Sequence, residues 1–540
     1  MQKRKMNTTN RKASAVLTVL LFALAASGIC NAATPIVDIG PDGELIYAKD
    51  ARGNRIPDFS RCGYMGGGVT LPTPAFVKTL SPVEGELDDT ARIQAAIDAV
   101  SAREPDAFGF RGVIRLQRGV YRIATTLYIR ATGVVLRGAG QLEHGTTLIG
   151  TGTTQRTLIV VGGKAKIREI AGSRLKIADD YVPWGARSFE LESTRGLTVG
   201  DAIMVFRPST KEWISTLKMD QIPTREGRKT HQWKAGGYDL RFERTITAME
   251  QNRITLDAPV VNAMEGKYGG GFVYRYTADG RIAQSGVEYL RLVSQYQKGQ
   301  ENQDEAHAWV GVSVNAAVNS WVRNVTVVHF SHAVTLGATA KFITVQDCAY
   351  LKPVSKITGG RRYAYVINGQ FCLVQRCYSD HARHATATSS RVRGPNVFLD
   401  CLAENNHSDI GPHHRWAVGI LWDNLKGDRF NAQDRAWMGT GHGWAGAQQV
   451  FWNCETSRIC VQQPPTAQNY AIGCLGKIDT GHFKGRTLGY YESHGVHVAP
   501  RSLYLKQLED RLGPQAVENI TIEAQREGNI YQLLKERLAR

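Results

Sequence analysis

The densest chemistry in this sequence lies between residues 380 and 416. It reads Asp380-His-Ala-Arg-His384, then Arg391-Val-Arg393, then His407-Ser-Asp-Ile-Gly-Pro-His-His-Arg-Trp416. Five of the fourteen histidines fall in one 34-residue stretch, 381–414. A histidine can act as a general base near neutral pH. Arginine grips a carboxylate with two parallel hydrogen bonds. Together they suit β-elimination on a uronic acid, in which a base removes the proton beside the sugar carboxylate. A cation stabilises the enolate-like charge, and an acid helps the glycosidic oxygen leave. On this reading His381, Arg383, His384, His414 and Arg415 carry catalysis. His384 or His381 is the base, with Lys352 as a rival, and Arg383, Arg391, Arg393 and Arg415 neutralise the acid group. No zinc spacing such as His-Glu-x-x-His occurs.

Residues this far apart need a scaffold that stacks distant turns, and the cysteines mark one. The chain repeats a short apolar strand ending in Cys: Phe342-Ile-Thr-Val-Gln-Asp-Cys348, Cys372-Leu-Val-Gln-Arg-Cys377, Val397-Phe-Leu-Asp-Cys401, Val450-Phe-Trp-Asn-Cys454 and Tyr470-Ala-Ile-Gly-Cys474. Trp321-Val-Arg-Asn-Val325 fits the same frame with Val in place of Cys. From Val325 the steps are 23, 29, 24, 53 and 20 residues, the long one being about two repeats. Coils of twenty-odd residues with an inward apolar strand predict a parallel β-helix. Its coils sit ~4.8 Å apart, so like residues stack. The cysteines then form an interior ladder of small apolar side chains rather than disulfides.

This frame aligns the turns. Four residues past the markers come His329, Lys352, His381 and Asn405, and three further come His332, Ser355, His384 and Ser408. Two stacked polar columns of this kind make a track for a polyanion, with Lys352, His329, Arg391 and Arg393 binding substrate. Asp380 and Glu404 both lie three residues past their markers. They suit a shared calcium ion, an acid/base pair of a hydrolase, or plain salt bridges. Asp347, Arg376 and Asp400, each just before its marker, read as a structural charge ladder. The glycine-rich Gly439-Thr-Gly-His-Gly-Trp-Ala-Gly446 offers His442 and Trp444 to a sugar ring, or is a tight solenoid turn.

A chain of 540 residues is long for one compact core but natural for a solenoid. Lys3, Arg4, Lys5, Arg11 and Lys12, an apolar run over 15–26, and small residues up to Ala33 read as a secretory signal, residues 1–33, which predicts a secreted or periplasmic protein. No apolar stretch is long enough to span a bilayer. The formal net charge is +17, of which five positive and no negative charges sit in the leader, leaving +12. A basic exported chain without a nucleic-acid-binding motif points to acidic polysaccharide as partner.

Asp88-Asp89-Thr90-Ala-Arg-Ile-Gln-Ala-Ala-Ile-Asp98, an amphipathic helix with an acidic start, leads into Gly112-Val-Ile-Arg-Leu-Gln-Arg-Gly-Val-Tyr-Arg122 and Gly133-Val-Val-Leu-Arg-Gly-Ala-Gly140. This succession, with Asp58-Phe-Ser-Arg-Cys-Gly-Tyr64 ahead of it, resembles the start of the pectate-lyase superfamily, the pectin lyase fold. The resemblance covers roughly 40–160 and 285–480. It implies an all-β, right-handed parallel β-helix with an N-terminal capping helix and, as activity, a polysaccharide lyase. A glycoside hydrolase or a carbohydrate-binding β-helix without activity are the alternatives on the same fold. β-Helix lyases often use Lys or Arg with calcium, and this sequence lacks an obvious acidic calcium cluster. The expected organisation is a leader (1–33), cap and first coils (34–185), a β-rich insertion with period-two alternation (186–284), the main coils with the active site (285–500), and a helical cap closing the last coil (501–540). In the insertion, Trp213, Trp233 and Tyr238 read as core more than as sugar contacts.

Overall fold

The computed structural model describes residues 35–227 and 229–538; the expected leader lies outside them. The chain winds into a right-handed parallel β-helix with three strands to a full coil. One coil takes Leu373–Gln375, Tyr378–Asp380 and His384–Thr388, and the next takes Arg393–Leu399, Leu402–Glu404 and Gly411–Pro412. Each strand pairs in parallel with its counterpart one coil away, as Leu373 does with Val397 and Tyr378 with Leu402. The inner side chains form one continuous apolar core. Among the described residues no helix is long and apolar enough to cross a membrane.

The cysteine frame is the register of this solenoid. Thr326, Ala349, Tyr378, Leu402, Lys426, Glu455 and Leu475 pair in succession. The residues just before them, Val325, Cys348, Cys377, Cys401, Leu425, Cys454 and Cys474, therefore stack, and all lie in the core. Leu425 fills the coil that the 53-residue step skips. The cysteines are free thiols. Their neighbours one step earlier turn the corner between two strands: Asn324, Asp347, Arg376, Asp400, Asn424 and Asn453 all have φ between 48° and 56°. Asn and Asp tolerate this left-handed conformation through local side-chain hydrogen bonds. Arg376 holds Asp347 with two bonds of 2.8 and 3.0 Å. Asp400 instead accepts from Gln525 at 2.8 Å and pairs with Arg501.

The helix Thr90–Ser101 closes the N-terminal end with Ile93, Ile97 and Val100 in the core. Asp88 accepts the Thr90 N–H at 2.9 Å, and Asp89 accepts the Arg122 N–H at 2.9 Å, which ties the helix start to the first coil. The antiparallel insertion begins earlier than residue 186. Lys166–Glu169 and Leu175–Lys176 already pair with Phe272–Asp279, and the sheet runs on through Ala202–Arg207, Leu240–Glu250, Arg253–Leu256 and Ser188–Glu190. Its first strand alternates poorly because it is short and largely exposed. Within that β-rich stretch, Gly196–Asp201 is turn and loop. The insertion shares one apolar cluster with the β-helix. Trp213 and Trp233 lie 5.0 and 6.2 Å from Trp416, and all three are buried.

The C-terminal helical cap lies along the flank of the solenoid. Leu503, Tyr504 and Leu508 cover the outward Leu399, Leu421, Val450 and Trp452. Ile530, Leu534 and Leu538 cover Val328, Leu351, Tyr378 and Leu402. Those outward apolar residues would otherwise form an exposed stripe several coils long.

Candidate functional site

One sheet of the β-helix starts its strands with ring-bearing residues. His332, Tyr363 and His384 are in register on successive coils, each followed by Ala. The His332 ring lies parallel to Tyr363 at 5.6 Å, and Tyr363 lies 4.6 Å from His384. The next coil adds His413, 4.4 Å from His384. Beyond it come His414 at 5.1 Å and His442 at 5.3 Å from His413, 4.7 Å from each other.

The floor of this cluster is a buried chain of polar contacts. His384 donates from Nδ1 to the Asp409 carbonyl at 2.6 Å, which leaves Nε2 unprotonated; that nitrogen is buried without a partner. Arg435 donates from Nη1 to His413 Nδ1 and to the His413 carbonyl, both at 2.7 Å. His413 therefore carries its proton on Nε2 and donates it to the Tyr363 hydroxyl at 3.0 Å. Arg383 also reaches that hydroxyl, at 3.4 Å. With its oxygen accepting, Tyr363 has its own O–H free to donate outward.

Burial sets the protonation states. It pushes His384 down to about 4 against the pull of Asp409, and with Arg415 beside it pushes His414 to about 4. His442 falls to about 2 and His413 well below the usual imidazole range, each through burial and then Arg435. All four are neutral at pH 7. Burial raises Tyr363, which stays a phenol. Burial alone would raise Asp409, but Arg435 and His384 hold it well below the usual carboxylate range.

The sequence-derived candidates divide on this geometry. Arg383, His384, His414, Arg415 and His442 are brought together. His381 is not: it sits on the exposed turn before His384, paired with Asp380 at 2.8 Å and 5.9 Å from the His407 ring. His329 (φ 68°), Lys352 (φ 47°), His381 (φ 56°) and Asn405 (φ 53°) share the left-handed corner of one turn column, as the frame implied. His329 packs on Tyr296 at 4.7 Å, and Lys352 is exposed. In the second column Tyr363 takes the place expected for Ser355, because the loop after Leu351 is longer than its neighbours. Arg391 donates to the Gly237 carbonyl of the insertion at 2.6 Å, at the edge of the cluster. Arg393 turns away and donates to Ala338 at 2.8 Å. Trp444 is 5% exposed and packs in the insertion interface, so its ring is not offered to a sugar. Tyr363, Asp409, His413 and Arg435 were missed. The shared ring-Ala start of three strands was the signal for Tyr363.

Two groupings invite a metal. His384, Asp409 and His413 bring ligand atoms within 4.8 Å of one another, yet the Arg435 guanidinium at 2.7 Å from His413 Nδ1 already supplies the cation. Asp380 and Glu404 stand side by side in register. Glu404 accepts from Tyr378 at 2.8 Å and Lys535 at 2.9 Å, and Asp380 accepts from Asn405 at 2.8 Å. Both Glu404 oxygens and Asp380 Oδ1 thus already have protein partners.

Fold and site thus define a right-handed parallel β-helix protein with a histidine-rich cluster at the start of one sheet. No protein-family model matches the sequence, and no curated protein matches it. Among solved structures it is similar to the tailspike protein of Pseudomonas phage LKA1, 14% identical over 72% of this chain and 64% of that one, with TM-score 0.41. A mutant tailspike of E. coli bacteriophage HK620, in complex with pentasaccharide, is 10% identical over 74% of this chain and 55% of its own, with TM-score 0.41. The tailspike of Acinetobacter baumannii bacteriophage AP22, in complex with capsular saccharide, is 9% identical over 77% and 73%, with TM-score 0.26. The chain spans less than two thirds of the first two.

Proposed function

We propose that this protein is a polysaccharide lyase that cleaves a uronic-acid-containing polymer by β-elimination, with the cluster around His413 as its active site. One observation carries the reading: a neutral, half-buried imidazole and an un-ionised tyrosine flank the same buried His413–Arg435–Asp409 floor, with Arg383 and Arg415 at the rim.

His414 takes the proton from the carbon beside the uronate carboxylate. Arg415, the next residue, holds that carboxylate and the charge that develops on it. Tyr363 gives its proton to the departing glycosidic oxygen as the carbon–oxygen bond breaks and the carbon–carbon double bond forms. The His413 Nε2–H and Arg383 both point hydrogen bonds at the Tyr363 oxygen, and these strengthen as it becomes phenolate. Hydrolysis would ask for two carboxyl groups about 5–9.5 Å apart across the bond. Among the described residues Asp409 is the carboxylate in contact with these rings, and its ion pair with Arg435 keeps it from donating a proton.

The test is a panel of acidic polysaccharides, read by the ultraviolet absorbance of an unsaturated uronate. New absorbance supports the reading. New reducing ends without it would make the protein a hydrolase.

A further inference from the structure

Beside the cluster, and sharing Asp409 and Arg435 with it, lies a recess of about 330 Å³. That is the small end of ligand sites, which run from about 300 to 1,000 Å³. Arg429 and Arg458 stand in it on adjacent coils in direct register, and Asn431 and Gln433, both buried, line it with them.

The charges do not balance. Arg429, Arg435 and Arg458 face two carboxylates, Asp409 and Asp479. Arg435 is 3.8 Å from Asp409, and Arg458 is 3.7 Å from Asp479. Arg429 is half-buried and makes no salt bridge or side-chain hydrogen bond among the described residues. Arg435 spends one nitrogen on His413, while its Nε is buried without a partner. A half-buried guanidinium left without an anion beside a buried polar floor is free to pair with an incoming carboxylate.

We infer that this recess is a carboxylate subsite: it takes the acid group of a uronate next to the sugar that reacts, with Arg429 and Arg458 as the clamp. The planar fork of two guanidiniums one coil apart suits a carboxylate more than a point cation would. The polymer then runs along the coils, from Tyr363 across His413 toward Arg458. This rests on the lyase reading for its neighbour but concerns binding, so it is tested separately.

The experiment measures calorimetric binding of oligomers from polygalacturonate, alginate and hyaluronan, with dextran and dextran sulfate as controls, to wild type and to an Arg429→Ala/Arg458→Ala variant checked for intact folding. The expected result is that the best-bound uronate oligomer loses tenfold or more in affinity, partly restored by Arg429→Lys/Arg458→Lys. Equal affinity in wild type and the Ala variant overturns the subsite. So does wild-type binding of none of the three uronates, or tighter binding of dextran sulfate than of any of them. If the variant loses uronate binding while no unsaturated product ever forms, the subsite stands and the lyase falls. If product forms at an unchanged KM in the variant, the reverse holds.

Discussion

His384 and His414 are both neutral, yet they differ in what they can reach. His384 is 1% exposed, so its free Nε2 faces the protein interior. It orders the floor through Asp409. His414 is half-buried at the rim and can meet a substrate. His414→Ala and Tyr363→Phe should each lower kcat by about two to four orders of magnitude with the fold intact. Near-normal turnover in both would move the chemistry elsewhere. The pH profile follows from the same groups. A base held at about 4 is active when neutral, so the rate should be flat through pH 6–8 and fall only as pH drops toward about 4. At the alkaline end it falls when Tyr363, raised above the usual phenol, loses its proton. A rate lost between pH 7 and 6 would contradict this. Part of the site could be read from sequence: the run of His and Arg named Arg383, His384, His414 and Arg415. Tyr363 escaped because an eleven-residue gap between Leu351 and Tyr363 broke the counting from the Cys marker. Arg393 points to Ala338, away from the rings; the sequence does not say which way a strand-end arginine turns.

At the scale of elements, stacking explains both what sequence revealed and what it hid. Cys348, Cys377 and Cys401 announced the repeat because one unusual residue recurs. Leu425 does the same work silently, since leucine is common everywhere. The eight thiols among the described residues are buried and unpaired, so a reducing agent should leave Tm unchanged; a drop in calorimetry under dithiothreitol would reveal a disulfide. The docking of the C-terminal cap carries its own pH signature. Asp423 is buried on the strand Ala417–Asp423 and accepts from Ser502 Oγ at 2.7 Å and the Tyr504 N–H at 2.8 Å, at the start of the helix Leu503–Leu512. Burial pushes its carboxyl to about 7, and the nearby Asp400 adds to the rise. Unfolded, it would titrate near 3.9. The native state therefore keeps a proton that the unfolded chain gives up between these values, so stability falls as pH rises through that window. Asp423→Asn removes that slope. From pH 5 to 8, the Tm of wild type should fall more than that of the variant, and equal slopes would sink the assignment.

Over the whole molecule, the solenoid turns a linear charge excess into a directed surface. The chain beyond its expected leader carries a net +12, and the β-helix lays side chains such as Arg429, Arg458 and Lys477 in register along its coils. Like charges one coil apart repel each other, and an elongated polyanion lying across them relieves that repulsion. The antiparallel insertion, which sequence placed only coarsely, borders the histidine cluster. Gly237 receives Arg391, and Thr440 accepts the His231 N–H at 2.8 Å, so the insertion walls the cluster near Arg415. Binding should then be both polyanion-selective and salt-sensitive. Surface charges are screened within about 8 Å at physiological ionic strength and within about 3 Å at 1 M salt. The affinity for an acidic polysaccharide should fall severalfold or more between 0.05 M and 0.5 M sodium chloride, by affinity electrophoresis or calorimetry. A neutral glycan of equal length should bind weakly at both. The residue that survives high salt measures the part held by buried contacts at the cluster, because Arg435 and its neighbours are shielded from mobile ions. If acidic and neutral glycans bind equally well and salt changes neither, the charge on this face serves solubility and not recognition, and the polyanion track is wrong.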